Sequence, residues 1–162
     1  MNIKTNYLLR AYTVLTISLL IGLALSGNVV AHGGATGIVK ERMEVMDGIG
    51  KNMKSMKEMI QGKKPFDASK IAESANAIKQ ASENITDLFP HGSMQKPTEA
   101  LPEIWQKWDD FSAIVGQLVT ETGKLSEIAQ GGEKKPITRQ FAKVGKVCSS
   151  CHTDYRKKKK KN

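Results

Sequence analysis

The sequence predicts an all-α protein, an antiparallel four-helix bundle, and three observations predict it. Apolar residues recur at steps of three and four through four segments, Pro and Gly fall almost entirely between those segments, and no stretch sustains the alternation of a strand. Short connections between the segments favour antiparallel neighbours.

The first helix is predicted from about Gly37 to Gln61, where Val39, Met43, Met46, Gly50, Met53, Met56 and Ile60 form one stripe. Gly62-Lys63-Lys64-Pro65 ends it. Asp67 or Ser69 then caps a second, Ala-rich helix whose face is Ile71, Ala75, Ile78, Ile85 and Leu88. The connection from Pro90 to Pro97, holding His91 and Gly92, is the main irregular loop. Pro102 suits the first turn of a third helix, with a stripe of Leu101, Trp105, Trp108, Phe111, Val115, Leu118, Leu125 and Ala129. That stripe assigns both tryptophans to the core. After Gly131-Gly132 a fourth helix starts around Pro136 or Ile137, and Phe141, Val144, Cys148, Cys151, His152 and Tyr155 follow at helical spacing. This spacing points the Cys and His side chains inward.

Residues 1–31 differ in composition from the rest. They carry Lys4 and Arg10 but no acid, then an apolar stretch from Val14 to Leu25, then the small residues Val29-Val30-Ala31. This order reads as a secretory signal peptide, and the apolar run is shorter than the roughly 20 residues of a membrane-spanning helix. The mature start is expected near His32, an uncleaved N-terminal anchor being the alternative, and either places the folded part outside the cytoplasm, in the periplasm. The expected organisation is a signal peptide over 1–31, a helical domain over 32–155 and a basic tail over 156–162. The 131 residues after Ala31 suit one compact domain. They carry 23 Lys and Arg against 16 Asp and Glu, and six of the positives lie between Arg156 and Lys161. Charge this localised argues against nucleic-acid binding. The Lys157 to Lys161 run is either a solvated tail or an electrostatic guide toward an acidic redox partner or an anionic membrane surface.

Two cysteines in an exported chain would ordinarily form a disulfide, but Cys148 and Cys151 enclose two residues, and so tiny a loop removes little unfolded-state entropy. Cys148-Ser149-Ser150-Cys151-His152 is instead a C-x-x-C-H haem-attachment pattern. On a helix these residues stand at i, i+3 and i+4, so both sulfurs and the imidazole leave one face and can grip one porphyrin. The thiols would hold a single haem c covalently while His152 ligates its iron. A thioredoxin-like CxxC needs a βαβ context, and a zinc site needs about four ligands, whereas the other histidines, His32 and His91, lie at the expected mature terminus and in a loop.

Four helices with C-x-x-C-H in the last, followed by Tyr155-Arg156, resemble the class II c-type cytochromes, the group of cytochrome c′ and its low-spin relatives. The likeness spans the whole mature chain. In the first helix, Arg42, then Met46, then Asn52-Met53 is similar to the family's distal-side pattern, and Pro102-Glu103-Ile104-Trp105 resembles its third-helix start. The resemblance implies that Met46 occupies the distal position, where family members with methionine are usually six-coordinate and pass electrons, and those with an apolar or aromatic residue bind small gases. A soft thioether paired with His152 would raise the reduction potential. Met43 shares the stripe and is the fallback ligand. Arg42, one turn before Met46, either reaches a haem propionate or is a solvated arginine; Arg156, four after His152, either packs beside the proximal ligand or begins the basic tail. Dimerisation through the first two helices is common in the family. The expected function is a periplasmic one-electron carrier with His/Met ligation, not an enzyme, and the alternative is a five-coordinate protein that binds nitric oxide or carbon monoxide.

Overall fold

The computed structural model describes residues 34–158; the expected signal peptide, His32 and the tail from residue 159 onward lie outside them. Among the described residues five helices are present, α1 (Gly37–Ile60), α2 (Ala68–Glu83), α3 (Glu103–Gln106), α4 (Trp108–Gln130) and α5 (Lys134–Tyr155), with a 3-10 turn at Thr86–Leu88. The four long ones make the antiparallel bundle. Among the described residues no helix is long and apolar enough to cross a membrane.

Local chemistry sets the helix ends. The α1 C-terminus closes with Gly62 at φ 74°, so that the Lys63 N–H reaches back to Glu58 O at 2.8 Å, a Schellman-type closure that a residue with a Cβ would resist. Asp67 caps α2, accepting from the Lys70 N–H at 3.0 Å. The helix stops at Glu83, earlier than its apolar face suggests: Ile85 caps the following 3-10 turn and Leu88 ends it, and of the two only Ile85 is buried. Helix α5 begins at Lys134, with Pro136 in its first turn, where a missing N–H costs nothing.

The expected third helix is two. Lys107, at φ −124° and ψ 50°, separates α3 from α4. The Trp105 indole N–H donates to Phe89 O at 2.9 Å, so this short turn is tied to the loop before it. The break swings Trp108 to the surface, where it is 38 % exposed, and corrects its assignment to the core; Trp105 is half-buried.

Helix α1 packs on α2, α2 on α4, and α4 on α5; α1 and α5 are not one of the closely packed pairs. Met56, Ile71, Ala75, Ile78, Leu125, Ile137 and Val144 are fully buried along the shared core. At one end the core turns aromatic: Phe111 meets Phe89 and Tyr155 edge-on, with centroids 5.1 and 5.4 Å apart.

That end also holds a buried cation. Arg42 is 5 % exposed, its guanidinium lies 4.4 Å over the Phe89 ring, and its N–H groups donate to Leu88 O, Ser93 O and Ser93 Oγ, with a longer contact of 3.4 Å to Thr98 Oγ1. The expectation of a solvated arginine is overturned, because loop carbonyls and hydroxyls replace its water.

Two outcomes check this packing by chemical denaturation. Ile78→Ala should cost about 2–5 kcal/mol, the range for a large aliphatic side chain removed from a close-packed core. Arg42→Ala should cost about 3 kcal/mol, since it strips several charge-assisted hydrogen bonds and leaves Leu88 O and Ser93 O without their donor. Arg42→Lys should recover only part of that loss, because one ammonium cannot reproduce the planar fork.

Candidate functional site

The C-terminal turns of α5 carry Cys148, Cys151 and His152. Val144, Val147 and Tyr155 are the buried residues of this stretch, and they orient the strip beside them. Cys148 and Cys151 are half-buried free thiols packed against the core; His152 is largely exposed. The expectation of an inward-pointing group therefore holds for the sulfurs more than for the imidazole, which the helical twist carries toward the open side. These are the side chains able to hold a prosthetic group at this end of the bundle. Among the described residues, no three His, Cys, Asp or Glu side chains gather as a metal cluster.

The electrostatics suit neutral donors. Burial pushes the Cys148 thiol pKa up, and burial together with the neighbouring Cys148 and Asp154 raises Cys151 to about 11. Both are thus protonated at neutral pH. Partial desolvation and, after it, the Arg156 charge hold His152 below the usual imidazole range against the opposing pull of Glu99, so the neutral, metal-ligating form prevails at pH 7.

Helix α1 supplies the other side. Met46 is half-buried and packed against the core with Val45 and Met53, whereas Met43 is 36 % exposed. Asn52, from the same helix, donates to Gly48 O at 3.0 Å and so stays within its own helix. Arg42 stands one turn before Met46, and every acceptor around its guanidinium is a neutral oxygen. Burial lowers its pKa. Among the described residues, the Arg42 cation is therefore solvated by neutral oxygens alone.

Arg156 begins no free tail. Its Nε–H donates to Glu99 Oε2 at 2.7 Å and its Nη2 contacts the same oxygen. The backbone beside it pairs with the loop: Ala100 and Arg156 form an antiparallel bridge, the Lys157 N–H reaches Glu99 O at 2.8 Å, and the Leu101 N–H reaches Tyr155 O at 3.0 Å. Sequence reading missed Ser93, Thr98 and Glu99. They lie in an irregular loop with no periodicity to mark them, and the one signal was indirect: two arginines, each a turn from a candidate ligand, needing oxygen partners.

Known proteins bear on this arrangement. The family model described as Cytochrome C' matches residues 37–156. A cytochrome c-556 from Agrobacterium fabrum is 30 % identical over 146 residues, covering 90 % of this chain and 95 % of that protein. Cytochrome c prime from Shewanella frigidimarina superposes with a TM-score of 0.71 at 31 % identity, covering 75 % of this chain and 94 % of that one. A nitric oxide complex of a mutant cytochrome c prime from Alcaligenes xylosoxidans does so with a TM-score of 0.68 at 28 % identity, covering 75 % and 94 %. The matched span runs from the first turn of α1 to Arg156, and so takes in Arg42, Met46, both cysteines and His152. With the helical bundle and this span in agreement, the chain belongs to the cytochrome c′ family of haem proteins.

Proposed function

We propose that this protein is an exported one-electron carrier with one covalent haem c, held by Cys148 and Cys151 and ligated by His152 and Met46. The observation that carries the reading is the contrast between two methionines of α1. Met46 packs against the core on the side of Arg42, while Met43, three residues away, faces solvent. Of these two, Met46 is the one placed to offer its sulfur inside the bundle.

The donor set fits the group. Two neutral thiols one helical turn apart can each add across a vinyl C=C, the sulfur bonding one carbon and the proton going to the other, with no external oxidant needed. The neutral His152 imidazole offers a lone pair. Between α1 and α5, the one side of the bundle without a closely packed helix pair, a planar group can be clasped from both helices. Arg42, buried among neutral oxygens, suits a propionate as its counter-charge. When bound, the haem iron supplies a reversible one-electron couple. The polypeptide's part is to fix the ligands, shield the iron from water and tune its potential through the His152 and Met46 pair and the surrounding charge. Residues 1–31 direct the chain to the periplasm, and the lysine run after Arg156 steers it toward acidic redox partners or an anionic surface. No substrate chemistry is required of it.

A second reading has its own support, the fold shared with a nitric oxide complex of a cytochrome c prime. There Met46 packs beside the iron without bonding it, and a small gas takes the sixth position.

The visible spectrum of the reduced protein, before and after carbon monoxide, separates the two. A low-spin spectrum with slow carbon monoxide uptake is expected, and Met46→Ala should turn it high-spin with fast uptake. A wild-type spectrum that is already high-spin would reject the carrier in favour of gas binding. Intact mass of the exported protein should show one haem adduct, lost in a Cys148→Ala, Cys151→Ala double variant.

A further inference from the structure

Two arginines bracket the candidate ligands. Arg42 lies four residues before Met46 on α1, and Arg156 four after His152 on α5. Adjacent residues of one loop hold them: Thr98 Oγ1 accepts from Arg42 at 3.4 Å, and Glu99 Oε2 accepts from Arg156 at 2.7 Å. Ser93 and Leu88 secure Arg42 further, and the Ala100–Arg156 bridge secures the α5 end. Because α1 and α5 are not a closely packed pair, this loop is, among the described residues, a polar tie between them at the end that carries the candidate ligands.

We propose that the segment 88–101 is a strap whose Thr98 and Glu99 act as positioning residues: by clamping Arg42 and Arg156 they set the spacing of α1 and α5, and so whether Met46 stays bonded to iron. The inference rests on the ligation by His152 and Met46 proposed above. Thr98 joins the two halves of the clamp. Its hydroxyl also accepts from the Ala100 N–H at 3.1 Å, and its carbonyl accepts from Lys157 Nζ at 3.4 Å. The strap therefore touches the chain on both sides of the site through one pair of neighbouring residues. The Arg156–Glu99 pair is itself partly open to solvent, at 39 % and 47 % side-chain exposure, which makes Glu99 replaceable without opening the core.

The test uses the full holoprotein and compares Glu99→Gln and the pair Thr98→Val, Glu99→Gln with wild type. Readouts are the rate of carbon monoxide uptake by the reduced form, the reduction potential and the spin state. Uptake should rise by about two- to fivefold in Glu99→Gln, the scale set by a half-exposed ion pair, with more in the pair and a lowered potential as the methionine bond weakens. Glu99→Asp should restore part of the wild-type rate. Glu83→Gln is the control: it breaks an ion pair with Lys79 of nearly equal exposure, 39 % and 45 %, on α2 and should leave all three readouts unchanged. Far-ultraviolet circular dichroism confirms that each variant is folded. If wild type is six-coordinate and both strap variants match it in rate, potential and spin state, the strap proposal is overturned while the ligation stands. An equal response from Glu83→Gln also overturns it, since the effect would then be general charge. A five-coordinate wild type overturns the ligation itself, and the strap's role falls with it.

Discussion

A charged side chain cannot be taken out of water unless its hydrogen bonds are rebuilt, and in this bundle Arg42 imposes that constraint on the loop opposite it. The guanidinium is planar, with donors in a fixed fork, so its acceptors must lie where the fork points. Leu88 O, Ser93 O and Ser93 Oγ do so, and Phe89 closes the face. Once Phe89 is there, Phe111 and then Tyr155 pack on it in turn. The conformation of an otherwise irregular loop and the aromatic end of the core both follow from solvating one cation without water.

The same constraint explains how the C-terminal end of α5 is held. Tyr155 is buried in the aromatic cluster, and its carbonyl accepts from Leu101. The loop that solvates Arg42 is thus the loop that ends α5, and the strip of Cys148, Cys151 and His152 inherits a fixed orientation from it. Polar ties between long helices elsewhere are sparse and structural: Ser126 Oγ donates to Ala72 O at 3.1 Å, and buried Gln140 donates to Glu121 Oε2 at 2.6 Å.

Much of this was legible in the sequence, for identifiable reasons. Periodicity reports burial along a helix, so the stripes through Met56, Ile71, Leu125 and Val144 located the core. The C-x-x-C-H spacing encodes a geometry any helix must adopt, so the sulfurs and imidazole could be placed near one another without a structure. What periodicity cannot report is a local override. Trp108 fits the stripe of a continuous helix, yet a hydrogen bond from Trp105 to the loop breaks that helix at Lys107 and turns Trp108 outward. For Arg42 the sequence left a propionate partner and a solvated side chain both open, for a related reason: its polar partners come from a loop about fifty residues away, and nothing in the local pattern announces them. Ser93, Thr98 and Glu99 were unreadable for the same cause.

The close helix pairs, α1 with α2, α2 with α4 and α4 with α5, join successive long helices, so most of the bundle rests on contacts between chain neighbours. The ties at the Arg42 end do not: Arg42 to the loop spans 46 to 56 residues, and Glu99 to Arg156 spans 57. Closing long loops costs chain entropy before any contact returns it, and folds rich in local contacts form fastest. In kinetic terms such a topology favours early assembly of the body and late closure of this one end. That end carries Met46 on α1 and Cys148, Cys151 and His152 on α5, two helices far apart in the chain.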